Sequence, residues 1–304
     1  MPPEGLVAAL RHAAQTVFSA VRVLVALTDA GVTCAWIEKG QWVWVDAEWP
    51  PGACVNGLPR QSEAMADLIA DLLLDVGLVG ARIELLLPLD LCEWRVLDGL
   101  SHPNNAALLD TSIQEKLSWK INSDDCYVSC SNCSGSTLAV AVSRVDLQDW
   151  IDVFEQADLP LCRVDWLLNA ACQGMLNQLD GQHSDLAWMI STAQTQRLLL
   201  IRDGVPEVDR SFAPAEPQLW GDVLETTEHW CLLCPDSLPL FWHRTGSFSQ
   251  EMSSVFVAWA DHTLVPLDVY SCGLVPWNST PSPTLLDPLI SLGFEGLGLA
   301  RRTP

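Results

Sequence analysis

LAWMISTAQTQRLLLIRDGVPEVDRSF, residues 186–212, reads as strand, polar turn, strand, glycine turn, strand. Residues 21–49 repeat that grammar. Ile37-Glu38-Lys39-Gly40 ends the second strand of one copy as Ile201-Arg202-Asp203-Gly204 ends it in the other. Self-similarity at this separation implies two lobes built alike, each opening with a three-stranded meander, and a ligand or partner cleft between them.

Outward from the first copy, residues 21–27 form a buried-strand run, Asp29-Ala30-Gly31-Val32-Thr33 makes a turn, and residues 34–38 and 41–48 are the next two strands. Ser62 is a candidate N-cap for a helix carrying Met65, Leu68, Ile69, Leu72 and Leu73, with Gly77 as its stop. Residues 83–87 follow as a strand halted by Pro88. Strand, turn, strand, turn, strand, helix, strand is the order of one lobe of an actin-like (ribonuclease H-like) α/β fold. Such a lobe mixes antiparallel and parallel pairing, so both sheet faces are covered and alternation is weak.

From residue 92 the pattern becomes a small α+β insertion: a strand at 94–97, a helix at 111–121, and a hairpin of 126–130 and 138–142 across SNCSGS. A helix at 146–157, a strand at 162–164 and a helix at 165–179 lead through GQHSD into the second meander. Beyond it lie a helix at 217–228, strands at 229–234, 255–260 and 265–269, and a closing helix at 285–301. The expected domains are an N-terminal helical extension at 1–20, a first lobe at 21–91 and 144–180, and an inserted subdomain at 92–143. A second lobe follows at 181–284, and a C-terminal helix at 285–304 returns toward the first.

The 304 residues suffice for two domains with cores of their own, and 49% are hydrophobic, which argues against disorder. A formal charge of -22 repels phosphate backbones and anionic bilayers, so nucleic acid is a poor partner and a basic peptide a better one. No run of about eighteen uncharged apolar residues exists, so direct membrane insertion is not expected. The first residues have acid ahead of their apolar part, unlike a secretory signal. The expected location is the cytoplasm. Eleven cysteines, scattered singly for the most part, read as reduced core residues rather than a disulfide framework.

The segments LTDAGVT, ADLIADLLLDVGLVGARIELLLPLDLCEWRV, SIQEKLSWKI, LAVAVSRVDLQDWIDVFEQADLPLCRVDWLLNAA, the second meander and GFEGLGLARR together resemble the PilM family, actin-like proteins of type IV pilus assembly. The likeness spans about residues 21–302 and lies in order, spacing and hydrophobic rhythm. The cytoplasmic part of the secretion protein GspL is similar. The resemblance implies a two-lobe actin-like fold whose insertion at 92–143 matches the subdomain 1C of FtsA. It also implies a groove beside that subdomain holding the N-terminal cytoplasmic peptide of a PilN-like inner-membrane protein, a location peripheral to the inner membrane through that partner, and a possible homo-oligomer. Trp94 and Trp119, in the insertion's strand and helix, would line the groove.

An actin-like nucleotide site needs two glycine-containing hairpin turns that face phosphates, an acid for Mg²⁺ and a glycine pair near the adenine. Asp29, Gly31 and Thr33 supply a first phosphate turn, or simply a hairpin turn held by side-chain hydrogen bonds. In the second copy Ile190 stands where the family has Asp and Thr192 where it has Gly, and residues 213–276 contain no Gly-Gly pair. The expectation is a degenerate, non-hydrolysing member with no catalytic residues, no metal and no cofactor, ATP and Mg²⁺ being the alternative. The rival classes are an ATP-dependent actin-like ATPase or kinase and a GspL-like secretion component. Cys130-x-x-Cys133 and Cys231-x-x-Cys234 have zinc-site spacing but read better as turn and core residues. The six histidines, His243 among them, read as surface or loop residues. The tryptophans Trp36, Trp42, Trp44 and Trp49 suit either a core or a partner surface.

Overall fold

The structure is a computed structural model, and it describes residues 21–97, 125–133, 136–179, 185–191, 196–212, 225, 230, 240–244, 264–266, 275–276 and 286–298. In chain order, the first elements are β1 (Arg22–Leu27), β2 (Gly31–Glu38), β3 (Gln41–Glu48), β4 (Cys54–Val55), β5 (Leu58–Pro59), α1 (Ser62–Asp75), β6 (Arg82–Leu87) and β7 (Cys92–Leu97). Then come β8 (Cys126–Cys133), β9 (Ser136–Ser143), α2 (Arg144–Gln156), β10 (Leu161–Trp166), α3 (Leu167–Gln178), β11 (Leu186–Ser191), β12 (Gln196–Arg202) and β13 (Val205–Phe212). The last are β14 (Leu240–Arg244), β15 (Leu264–Pro266), β16 (Val275–Pro276) and α4 (Pro288–Gly296).

The chain divides into two compact units: residues 1–91, 145–166 and 274–283, and residues 92–144, 167–273 and 284–304. In the first, the sheet order is β10-β6-β1-β2-β3-β16; β1 to β3 run antiparallel, and β6 and β10 join parallel. In the second, the main sheet is β13-β12-β11-β14-β15, again a meander of three antiparallel strands followed by two parallel ones. The repeat in sequence is thus a repeat in topology. It extends to the tight turns: Lys39 and Gly40 have φ of 51 and 82, and Asp203 and Gly204 have φ of 50 and 75. Two successive left-handed residues define the type I′ turn, whose twist matches that of the strands it joins.

The first unit buries Val23 to Leu27 completely, as expected of a central strand flanked on both sides. Trp36, Trp44 and Trp49 are all buried, so these three serve the core. Two further tryptophans fasten loops to it: Trp150 donates its indole N–H to Gly57 O (2.8 Å), and Trp166 donates to Pro88 O (3.1 Å). Such a ring combines a large apolar area with one polar group that must find a partner when buried. Helix α1 is capped one residue earlier than expected: Gln61 occupies the N-cap without a side-chain bond, and Ser62 is already helical. Its end is as read, with Gly77 at φ 77 and Leu78 N donating to Leu73 O, which closes the last turn.

The second unit holds the main sheet, the three-stranded sheet β7-β9-β8 of the insertion, and the helices α3 and α4. The sequence assigned residues 144–180 to the first lobe and turned 285–304 toward it. The structure groups α3 and α4 together because their backbones meet: a Cβ on Gly174 would stand less than 3.0 Å from Leu292 O, and one on Gly296 less than 3.0 Å from Ala170 O. Helix α4 is capped by Asp287, which accepts from Leu289 N (2.8 Å), with Pro288 in the first turn. Cys130 and Cys133 both lie in β8 rather than in its turn. His243 is buried at 1%, not on the surface, with Nε2 at 3.4 Å from Asp287 Oδ1. A strand position beside an apolar neighbour hid that burial from sequence. The expected elements at 1–20, 111–121 and 255–260 lie outside the described residues; of 217–228 and 229–234 only Glu225 and Trp230 are described, and both are helical, which corrects the strand expected at Trp230.

Cys34 and Cys54 are buried, and burial pushes both thiols up from 9.0 to about 12. A thiol that ionises near 9.0 when unfolded but near 12 when folded gives stability that is complete below pH 9 and is lost as pH rises through that window. Unfolding midpoints in urea should therefore fall between pH 9 and pH 11, and Cys34→Ala should flatten part of that slope. Cys162 is exposed, so Cys162→Ser should lower the number of thiols alkylated fast at pH 8 by one while Cys34→Ser leaves that number unchanged.

Candidate functional site

The β1–β2 turn carries the three residues assigned to a first phosphate turn. Gly31 N donates to Thr28 Oγ1 (3.2 Å), Thr28 N donates to Gly31 O (3.0 Å), and Trp49 Nε1 donates to Thr28 O (2.8 Å). The Asp29 carboxylate accepts the Gly57 N–H (2.6 Å) and the Cys54 thiol (3.6 Å), tying the turn to the β4–β5 hairpin. Burial and that adjacent carboxylate together raise the Cys54 thiol. Thr33 is buried at 7% within β2. Gly31 is glycine for a steric reason, since a Cβ there would sit less than 3.0 Å from Ala47 O on β3. Gly31→Ala should therefore destabilise the chain by about 1–3 kcal/mol in urea melts, equally with and without added nucleotide.

In the second unit, Ile190 is 2% exposed and lies between Arg197 of β12 and His243 of β14 in the sheet register. Ile190 is thus a core aliphatic. Thr192 lies outside the described residues, as do Trp119, Cys231 and Cys234. Among the described residues no group of three or more His, Cys, Asp or Glu could hold a metal ion. Among them, too, no helix is long and apolar enough to cross a membrane.

Trp94 occupies β7 and is 5% exposed, with its indole N–H donated to Asp209 Oδ2 (2.6 Å) on β13. Asp209 also takes both arms of Arg197, Nε at 2.8 Å and Nη2 at 2.7 Å. One turn of the pleat away, Glu207 Oε2 accepts from Trp230 Nε1 (2.8 Å) and lies 3.4 Å from Arg202 Nη2, whose guanidinium sits 5.3 Å from the Trp230 ring centre. Asp209 and Glu207 border a cavity of about 500 Å³ lined also by Trp94, Arg95, Arg202, Val205 and Pro206 among others. That volume is in the range of ligand sites. Sequence reasoning singled out Trp94 but missed Glu207 and Asp209, because nothing in a strand's alternation says that it faces an element more than a hundred residues away.

No family model matches the chain, and no curated protein matches it. Solved structures do. The PilM–PilN type IV pilus biogenesis complex is similar at a TM-score of 0.70 and 12% identity, over 91% of this chain and 98% of that one. This chain has the actin-like fold. A Bacteroides thetaiotaomicron protein with an actin-like ATPase fold and unknown function is similar at 0.50 and 10% identity, over 93% and 96%. The cytoplasmic domain of EpsL, an inner membrane component of the type II secretion system of Vibrio cholerae, is similar at 0.49 and 10% identity, over 91% and 94%. Each of the two units carries one meander, with the same strand order and the same I′ turn.

Proposed function

We propose that this chain is an actin-like adaptor of a type IV pilus or competence pseudopilus apparatus, held at the inner membrane by the N-terminal cytoplasmic peptide of a PilN-like protein. The observation that carries the reading is the likeness to PilM of the PilM–PilN complex along almost the full length of both chains. The geometry of the turns supports an adaptor over an ATPase. Asp29 and Gly31 are engaged by Gly57, Cys54 and Thr28 of the same chain, and a buried Ile190 replaces the acid a Mg²⁺ would need. These residues do not fit Mg·ATP. A working ATPase or kinase would require both turns open to phosphate and an acid at the metal.

Trp94 and Trp119 are the groove residues in this reading. The test is affinity purification of the tagged chain from its native membrane fraction, followed by competition with a synthetic peptide of the retained protein's cytoplasmic N-terminus. A single-span PilN-like protein released by its own peptide is the expected result. A chain that retains no such protein, or one whose retained protein the peptide fails to release, contradicts the proposal.

A further inference from the structure

The cavity between β7 and the β12–β13 hairpin is bordered by three carboxylates, Asp203, Glu207 and Asp209, and two guanidinium groups, Arg95 and Arg202. Asp209 is consumed internally: Oδ1 takes Arg197 Nε, and Oδ2 takes both Arg197 Nη2 and Trp94 Nε1. Glu207 differs. Its partners Trp230 and Arg202 both fall on Oε2, and among the described residues Oε1 has none. The side chain is 39% exposed while Trp230 beneath it is 6% exposed. An indole N–H and a guanidinium thus hold one oxygen of a carboxylate whose side chain is 39% exposed. An acceptor oriented in advance binds a cation without the entropy of ordering a loose side chain. Trp94, Val96, Val205 and Pro206 offer apolar surface to the methylenes behind such a cation. A chain charge of -22 adds a favourable field for it.

We propose that this cavity is a recognition pocket for a basic side chain of a peptide partner, with Glu207 Oε1 as the acceptor for its guanidinium or ammonium group and the Trp94, Val205 and Pro206 surface as the wall for its stem. The site rests on its own geometry and not on the adaptor reading, so either can fail alone. It makes the insertion and the second meander a single docking element, because β7 supplies Trp94 and β13 supplies Glu207.

The test uses the full chain and three capped amino acids as probes: N-acetyl-arginine methylamide, its neutral isostere N-acetyl-citrulline methylamide, and N-acetyl-glutamate methylamide. The readout is the Trp94 indole N–H resonance, assigned through Trp94→Phe. The arginine probe should shift that resonance saturably, the citrulline and glutamate probes should not, and Glu207→Gln should weaken the arginine response by about tenfold or more. Glutamine still accepts the Trp230 N–H, so folding is expected to survive; circular dichroism checks it, and the charge series on the unaltered chain decides the matter if it does not. Equal responses to arginine and citrulline, or no saturable shift with any probe, overturn the proposal. If the native partner's peptide binds without moving the Trp94 signal, partner binding by the adaptor stands, while this pocket and the place of Trp94 in the groove both fall. If the arginine probe binds as described while no PilN-like protein is retained, the pocket stands and the adaptor reading falls.

Discussion

Asp209→Ala should lower the stability of the second unit by about 1–3 kcal/mol, the cost of unpairing Arg197 at a half-buried ion pair and of leaving a buried indole N–H without its acceptor. The Arg197 side chain is 13% exposed and that of Asp209 21%, so water reaches the pair and recovers part of the lost pairing. The same deletion leaves the Trp94 indole N–H without its acceptor on an otherwise buried ring. Melting temperature should fall by roughly 5 °C, taking about 2–4 °C per kcal/mol for a unit of this size. Asp209→Asn should fall between, because the carboxamide oxygen can still accept from Trp94 while the charge opposite Arg197 is gone. Asp209→Ala placed in an Arg197→Met background should cost less than Asp209→Ala alone, since no charge is then left buried. Equal losses in both backgrounds would mean that the ion pair is not what holds β13 to β12 and β7.

Gly296→Ala should destabilise by about 2 kcal/mol or more, against the expectation from helix propensity. Alanine in place of glycine inside a helix ordinarily gains about 1 kcal/mol. Here the added Cβ meets the Ala170 carbonyl of α3 at under 3.0 Å, and backbone cannot swing aside as a side chain can. Separating α3 from α4 enough to admit a methyl group forfeits packing along both helices, an overpacking cost of about 1–3 kcal/mol and at times more. Gly174→Ala presses the same interface from the other helix, toward Leu292 O. The two changes should be less than additive, because the first opens the gap that the second needs. A thermal melt of each single variant and of the pair measures this; a Gly296→Ala protein as stable as the unaltered chain would show that the helices do not touch.

How far the sequence led can be argued from particular residues. Lys39-Gly40 and Asp203-Gly204 announced the paired meanders because two consecutive left-handed residues are a strong local demand, legible without any tertiary knowledge. The alternation and Gly77 placed α1 and its end within a residue or two. The cap of α1 was misplaced because Gln61 makes no side-chain bond, and a serine at the boundary is only a statistical cue. What sequence missed were contacts across long separations. Gly31 reads as a phosphate-turn glycine from its neighbours in sequence, and the closeness of Ala47 O is a second demand for glycine that only the fold reveals. His243 looked exposed because a histidine in a short strand gives no sign of which neighbours will cover it. Trp94 was chosen as a groove residue from resemblance, and its bond to Asp209 was invisible from either segment alone.

The central claim is that one turn of a nucleotide-binding fold has been closed by the chain's own groups, leaving a scaffold that grips protein. Isothermal titration of the purified chain with Mg·ATP bears on it most directly. The account predicts no saturable heat with either the unaltered chain or Asp29→Ala. Micromolar binding that Asp29→Ala abolishes would contradict it.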